Sequence, residues 1–515
     1  MLIHKIVFNI FYLSHLKTLY FYNKKGDFMP LGSSQDYLNR LKEREKDLNI
    51  YIGGERITDL LNEPIVKPSI NVILKTYELA KIKDYKGILT AYQNNEEVNR
   101  LVYVEQSISD LLMRAESQRI LNSKIGNCNF RCTGHDGINA VFASTYDIDS
   151  KLNTEYHKRF ALWLKEVQSN DLVVETAMTD VKGDRSKGPL EQKNDMAYVH
   201  VVERRKDGIV VRGAKMHITG AAIADEILVI PTKNMKQNEK DYAVSFAIKP
   251  DTKNLYFVSS WHPMDIMKKV SKEIGTDIDY PLPFGHRSTY LVIFDDVFVP
   301  YDRVFMDGEY EFTGKLIEYF ISHHRAGGGS CKAGFADVIL GSSALMADAN
   351  GVLNASYIQD RLLDIMRHGE AAYAAGLAAM VKGYRHASGE YIPDLRLANI
   401  AKLDSIEHLK EAMVAAADIG GGITVNAPSS KDLNIEGLSN KIAMALQGNQ
   451  SYTAEERLRI ARLMQLWVAG PHLVGLIQGG GPPAAELLAL KSDMKNRLNE
   501  FIENAKVMSG IKKEK

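Results

Sequence analysis

Cysteine is scarce in this chain of 515 residues, which has only three, at positions 128, 132 and 331. Three thiols cannot form the disulfide framework of a secreted protein, and they favour a reducing, cytoplasmic location. An excess of charge is also missing, because 64 Lys and Arg balance 64 Asp and Glu. This balance gives no sign of a polybasic tract, so we expect neither nucleic acid nor a membrane as a partner.

Long uninterrupted apolar runs are missing as well. Residues 1–28 are rich in apolar and aromatic side chains, but Asn9, Ser14 and His15 interrupt them, and no small-residue cleavage site follows. The codons that can encode Lys24–Asp27 are purine-rich, like a ribosome-binding sequence ahead of Met29. We therefore predict that residues 1–28 are a misannotated leader, which N-terminal sequencing of the native protein would test.

The apolar pattern changes its period twice along the chain. It is helical from Ser34 to about Asn170, approaches two from Asp171, and is helical again from Tyr310. Such blocks favour an α+β protein over a doubly wound sheet. We predict a helical domain over 29–170, a β domain over 171–305 and a helical domain over 306–515. Strands are expected at 172–174, 198–202, 209–211, 227–231, 242–248, 256–259 and 290–299.

A G-x-G-x-x-G motif between a strand and a helix is absent, so no Rossmann site is expected. The three cysteines are more informative. Cys128 and Cys132 are spaced i, i+4, and His324 precedes Cys331 by seven residues. Each spacing predicts one face of a helix, so two helices could bring three thiolates and one imidazole to a single soft site.

Three interpretations of this Cys3His set remain open. A CxxxC pair is commonly two buried cysteines, since free cysteine is among the most buried residue types. Cys3His is also a frequent structural zinc set, although such sites usually stabilise small domains. Thiolates about two hundred residues apart in a long chain favour a cofactor pocket, and thiolates suit iron–sulfur clusters.

These residues resemble the family of 4-hydroxybutyryl-CoA dehydratase/vinylacetyl-CoA Δ-isomerase, within the 4-hydroxyphenylacetate 3-monooxygenase group. The resemblance runs from about Ser34 to the C-terminus. It implies an acyl-CoA-dehydrogenase-like fold, with an N-terminal helical domain, a β-barrel-like middle domain and a C-terminal helical bundle. It also implies FAD and a 4Fe-4S cluster, the latter held by Cys128, Cys132, His324 and Cys331.

Further stretches resemble flavin-contacting segments of that family. The segments Ala177–Arg185 and Val211–Gly220 offer backbone donors, hydroxyls and cations for a pyrophosphate, although ordinary turn chemistry also explains them. The implied flavin residues are Met178, Thr179, Arg185, Lys215, His217, Thr219 and Gly220. Gly421 and Gly422 lie where relatives approach the FAD of a neighbouring subunit, which implies a homodimer or homotetramer.

The resemblance implies a radical dehydratase that converts a hydroxyacyl-CoA to an enoyl-CoA, with a possible isomerase activity. His324 would be both cluster ligand and candidate base, and Lys332 would support charge near the thioester or flavin. We expect such a cluster to be sensitive to oxygen. The alternatives are a reduced-flavin monooxygenase acting on a phenol, and a structural zinc or redox-sensing protein.

Four positions depart from the family pattern. Thr289 and Gly475 stand where the family has glutamates, Gly328 replaces a tyrosine, and Phe130 replaces a glutamine. The ligand residues are kept while the polar residues around them differ. We therefore expect a different, bulkier or less polar substrate than 4-hydroxybutyryl-CoA itself.

Overall fold

The computed structural model describes residues 31–93, 96–285, 287–468 and 483–511. The predicted leader and Gly475 lie outside these ranges. The N-terminal part begins with a capping box, in which Ser33 and Asp36 bond each other's backbone N–H groups. Its helices are α1 (Ser34–Arg44), α2 (Lys67–Ala80), α3 (Ile108–Ile125), α4 (Cys132–Leu152) and α5 (Tyr156–Ser169).

Short strands interrupt these helices. They are β1 (Ile50–Ile52), β2 (Glu55–Arg56), β3 (Thr90–Gln93) and β4 (Glu96–Asn99). β3 and β4 pair with each other, whereas β1 pairs in parallel with a strand of the middle region. Strands of two to four residues are too short to give a period-two pattern, which explains why the sequence did not predict them.

The middle region holds the longer strands. They are β5 (Val174–Ala177), β6 (His200–Arg204), β7 (Gly208–Thr219), β8 (Glu226–Val229), β9 (Val244–Ile248), β10 (Leu255–Ser259), β11 (Thr289–Pro300) and β12 (Val304–Asp307). Helix α6 (Pro263–Ile274) lies between β10 and β11. The predicted strands are confirmed with shifts of a few residues, and β12 was not predicted.

Two sheets form from these strands. One has the order β2-β1-β10-β11-β7-β6 and the other β12-β9-β8-β5, and no pairing among the described residues closes them into one barrel. Most pairs are antiparallel, with parallel pairs at β1–β10 and β5–β8. Asp225, just before β8, binds Arg40 at 2.9 Å and Arg44 at 2.5 Å, which fixes α1 to the smaller sheet.

The C-terminal part is helical. Its helices are α7 (Tyr310–Ala349), α8 (Ser356–Val381), α9 (Leu395–Gly420), α10 (Ile423–Asn426), α11 (Ser439–Leu446), α12 (Ala454–Val468) and α13 (Pro483–Met508), with a hairpin of β13 (Tyr384–Arg385) and β14 (Tyr391–Ile392) between α8 and α9. The 40-residue α7 packs against α8 and α9 on one side and against α3 and α4 on another. None of the helices in the described ranges is long and apolar enough to cross a bilayer.

Candidate functional site

Cys128 and Cys132 do not share a helix, so that prediction is wrong. Helix α3 ends at Ile125, Gly126 adopts a left-handed conformation (φ 66°), and α4 begins only at Cys132. Phe130, between the thiols, is also left-handed at φ 63°. A glycine after a helical run commonly ends the helix in a left-handed conformation. Gly126 does so here, and the i, i+4 spacing of the cysteines therefore does not reflect a helix.

Buried contacts hold this cysteine loop (residues 127–132) in place. The Arg131 guanidinium binds Asp171 at 2.6 Å and lies 4.8 Å from the centre of the Tyr77 ring. At the other end, Asn127 Nδ2 donates to the carbonyl oxygens of Phe284 and Gly285 at 2.7 and 2.6 Å. The two thiols are therefore presented by an anchored turn.

His324 and Cys331 both lie in α7, as the seven-residue spacing predicted. Arg114 of α3 crosses α7 so closely that a Cβ added to Gly327 would lie 2.7 Å from its Nη1 atom. Glycine at this position is what lets the guanidinium reach the carbonyl oxygen of His323, at 3.1 Å.

The cysteine loop, α3 and α7 meet at one place. Asn129 Nδ2 donates to Asn122 Oδ1 at 3.1 Å, and Asn122 Nδ2 donates to the Cys331 sulfur at 2.8 Å. A hydrogen bond from Cys132, together with the nearby Arg287 and His324, lowers the pKa of Cys128 to about 6. Burial, together with the charge of Cys128, raises the pKa of Cys331 to about 11. The sequence-predicted ligands are thus brought close enough to influence one another.

The His324 ring has one nitrogen engaged. Its Nδ1 lies 2.7 Å from Asp136 Oδ2, and the Phe320 ring stacks on it at 5.6 Å between centres. A carboxylate can only accept a hydrogen bond, so His324 donates to Asp136 through Nδ1, and Nε2 is the ring nitrogen that Asp136 leaves open. Across the ranges that the structure covers, no three His, Cys, Asp or Glu side chains converge on a point where one ion could bind.

Lys215, His217 and Thr219 lie on the C-terminal part of β7, which extends beyond its partner β6 and forms an edge of the sheet there. β7 has a bulge where it pairs with β11, between Lys215 and Ile218. His217 in this bulge is exposed with φ 65°, and the Met216 N–H donates to the Thr179 carbonyl oxygen at 2.8 Å. Bulges often re-aim side chains beside active sites. Met178 is partly exposed beside Thr179, and Arg185 is exposed on the following loop.

Lys215 is placed differently from the rest of this set. Its buried ammonium lies 2.9 Å from Asp180 Oδ1 and donates to the carbonyl oxygens of Met178 and Ile230 at 2.8 and 2.9 Å. All three N–H donors therefore have protein acceptors. Lys215 holds the loop after β5 against β7 and β8 and does not offer a charge to a phosphate.

A buried glutamate, Glu175, lies between the end of β7 that carries the predicted flavin residues and the cysteine loop. Thr219 pairs with Thr289 across β7 and β11, and Gly220 follows with φ 71°. A Cβ on Gly220 would lie 3.1 Å from both Glu175 Oε1 and the Phe130 ring. Thr133 donates to Glu175 Oε2 at 2.5 Å, and burial raises the pKa of Glu175 well above its usual range. Sequence reasoning missed Glu175, whose only signal was a carboxylate within an apolar strand.

A second missed residue is Lys402 of α9. It is 1% exposed, and burial lowers its pKa to about 6. A Cβ on Gly328 would lie 3.6 Å from Lys332 Nζ and 3.9 Å from Lys402 Cδ, so this glycine leaves space between two lysines. Gly421 and Gly422 lie at the end of α9, and their predicted approach to a second subunit stays a prediction.

Comparison with known structures defines the class of fold. A glutaryl-coenzyme A dehydrogenase structure superposes with a TM-score of 0.50 at 13% identity, covering 92% of this chain and 96% of that chain. This likeness confirms the predicted acyl-CoA-dehydrogenase-like fold and shows the fold alone. An archaeal 4-hydroxybutyryl-CoA dehydratase from N. maritimus, described as oxygen tolerant, superposes with a TM-score of 0.89 at 34% identity, covering 94% and 96% of the two chains.

The sequence comparisons define the family. Residues 33–306 match 4-hydroxyphenylacetate 3-hydroxylase N terminal, and residues 313–508 match 4-hydroxyphenylacetate 3-hydroxylase C terminal. The 4-hydroxybutyryl-CoA dehydratase/vinylacetyl-CoA-Delta-isomerase of Clostridium aminobutyricum is 38% identical over 497 residues, covering 94% of this chain and 100% of that protein. The chain therefore belongs to the 4-hydroxyphenylacetate 3-hydroxylase family, in the branch that contains this dehydratase.

Proposed function

We propose that this chain is a hydro-lyase that dehydrates 4-hydroxybutyryl-CoA or a related hydroxyacyl-CoA to the enoyl-CoA, using FAD and a 4Fe-4S cluster. The observation that carries the proposal is the meeting of Cys128, Cys132, Cys331 and His324 where the cysteine loop, α3 and α7 join. The high identity to a protein named for this activity and for vinylacetyl-CoA isomerisation supports it.

The donor set fits a polynuclear cluster better than one metal ion. Asn122 donates to the Cys331 sulfur, as expected for a residue whose working form is a thiolate. The four side chains lie close enough to influence one another's pKa values. Three thiolates with one imidazole are suitable ligands for the irons of a cluster, whereas structural zinc ligands usually come in closely spaced pairs within small domains.

The flavin is expected along the bulged edge of β7. Thr179, His217 and Thr219 line this edge, and the contact of Gly220 with Phe130 connects it to the cysteine loop. Bound FAD and cluster would supply one-electron and Lewis-acid chemistry that side chains lack. Glu175 lies between the proposed flavin site and the proposed cluster site. A substrate bound between the two cofactors would therefore lie beside this neutral carboxylic acid.

Dehydration removes a proton from carbon and a hydroxide from a nearby carbon. As the proposed base, His324 could accept this proton only at an Nε2 that is released from iron, while its Nδ1–H remains bonded to Asp136. Lys332, beside Cys331, can offset negative charge on the thioester oxygen. The same proton transfer would serve an isomerisation of the double bond.

The substrate is proposed to be larger or less polar than 4-hydroxybutyryl-CoA. Gly328 leaves space between Lys332 and Lys402, and the Phe130 ring lies beside Gly220 where a polar side chain would offer hydrogen bonds. A pocket with these two residues should favour added carbon over added hydroxyl groups.

A homodimer or homotetramer is also proposed. Several apolar side chains of the C-terminal helices are strongly exposed, among them Val425 at 88%, Leu488 at 69% and Val414 at 64%. Association of subunits would cover such side chains and remove their apolar surface from water. Light scattering of the purified protein tests this, and a monomer would contradict it.

The proposal is tested by the iron, sulfide, zinc and FAD content of protein purified without oxygen. We expect about four irons, four sulfides and one FAD per chain, together with dehydration of hydroxyacyl-CoA substrates. Cys331→Ala and His324→Ala should lower the iron content, whereas His408→Gln, outside the site, should not. Flavin without iron would indicate a monooxygenase, and zinc without flavin would refute an enzyme of this kind.

A further inference from the structure

Two neighbouring histidines of α7 bind different buried carboxylates. His323 Nε2 lies 2.8 Å from Glu390 Oε1, and His324 Nδ1 lies 2.7 Å from Asp136 Oδ2. Both carboxylates are at most 1% exposed. Both pairs join a histidine of α7 to a buried carboxyl group, but only His324 is near the thiols.

Asp136 is kept in its charged form by its other neighbours. Arg114 binds Asp136 Oδ1, and its Nε donates to His135 Nδ1 at 2.7 Å. His135 in turn places Nε2 3.0 Å from Glu105 Oε1. The buried ion pair with Arg114 and the contact with His324 both favour the carboxylate form of Asp136. A carboxylate can only accept, so the proton of this contact must sit on His324 Nδ1.

Asp136 is also placed by the element that carries a thiol. It follows Cys132 by four residues on α4, which puts both on one face of that helix. The contact with His324 therefore ties the thiol-bearing end of α4 to the histidine of α7. One carboxylate sets both the ring's orientation and the distance between two proposed ligands.

We propose that Asp136 is a positioning residue that holds His324 with its proton on Nδ1, so that Nε2 is the atom offered to the cluster. This inference rests on the proposed function and adds to it the residue that fixes the histidine ligand. Carboxylates in this position orient histidine ligands and raise their basicity, and their loss typically lowers metal affinity or activity by about 10- to 100-fold.

The test compares Asp136→Asn with Glu390→Gln in anaerobically purified protein. In Asp136→Asn, Arg114 keeps the amide oxygen and the amide N–H groups face His324 Nδ1, which disfavours the proton there. Pulsed EPR of the reduced cluster reports imidazole nitrogen bound to iron. We expect this nitrogen coupling in the wild type and in Glu390→Gln, and its loss or change in Asp136→Asn with about 10- to 100-fold lower activity.

Two further measurements keep the inference open to refutation. If Asp136→Asn does not fold, the variant Arg114→Gln/Asp136→Asn removes both charges and is measured in the same way. In the wild type, histidine labelled with ¹⁵N at Nε2 identifies the coordinating atom, whatever the variants do. Coordination through Nδ1, or an unchanged signal in Asp136→Asn, would overturn the inference while leaving the cluster in place. A wild type without iron would overturn the proposed function and the inference together.

Discussion

Removal of the Arg131 guanidinium should destabilise the protein and loosen the cysteine loop. Arg131 is 1% exposed, and its pair with Asp171 is the charge contact that anchors the turn between Cys128 and Cys132. Breaking a buried pair from one side costs about 3–5 kcal/mol, because the other charge stays buried. Asn99 still donates to Asp171 Oδ2 at 3.2 Å, which places the expected cost of Arg131→Met near the lower end, about 3 kcal/mol.

The assay is equilibrium urea unfolding, with iron content measured on the same preparations. Arg205→Met is the matched control, because Arg205 also has a carboxylate partner at 2.7 Å and an aromatic ring at 5.9 Å, but in an exposed pair. It should change neither the free energy of unfolding nor the iron content. Arg131→Met/Asp171→Asn should recover part of the loss. Equal stability of Arg131→Met and the control would refute this account of the loop.

Three further predictions concern stability. Asp225→Asn should cost about 3 kcal/mol at pH 7 and much less at pH 3. The charges of the two arginines outweigh the effect of burial and hold the pKa of Asp225 below the value of about 4 expected in the unfolded chain. The stabilisation by these ion pairs is therefore lost as the pH falls. Equal losses at both pH values in urea titrations would contradict this. Glu175→Gln should become more stable relative to the wild type as the pH rises above about 4. Burial raises the pKa of Glu175, so the wild type loses free energy of unfolding once the same carboxyl group ionises in the unfolded chain. A constant difference in stability between pH 4 and pH 8 would show that Glu175 is not held neutral. Gly327→Ala should lower the thermal midpoint, because its Cβ would lie 2.7 Å from the hydrogen-bonded Arg114 guanidinium. A Cβ on Gly341 in the same helix would contact nothing within 4 Å, so Gly341→Ala should gain up to about 1 kcal/mol from helix propensity. A gain in stability in both variants would show that Arg114 can move aside.

The sequence predicted the helical half of the site well and the loop half poorly. His324 and Cys331 share a face of α7 because helical periodicity is a local property. The same argument failed for Cys128, because Gly126 ends the preceding helix and the chain turns before α4 starts. Composition and period also predicted the α+β order and the strands of the middle region.

Residues that depend on distant partners could not be found from the sequence. Asp136 contacts a histidine 188 positions away, and Glu175 contacts Thr133 from a strand. Lys402 is buried because other helices, among them α7 and α8, pack against α9. Each side chain is ordinary in its local sequence, and its role comes from long-range packing.

The glycine run in α7 affects when during folding the proposed cluster can be inserted. Gly327–Gly329 stand between the proposed histidine and cysteine ligands, and each glycine costs a helix about 1 kcal/mol relative to alanine. About 3 kcal/mol of stabilisation must therefore come from packing against neighbouring helices. Helix α8 approaches the glycine run so closely that its Ala372 carbonyl oxygen would lie 2.4 Å from a Cβ on Gly329. Before that packing forms, His324 and Cys331 have no fixed separation. Delivery of iron and sulfide should consequently follow docking of the helical bundle, and a nascent chain released before α8 has been synthesised should be unable to accept them.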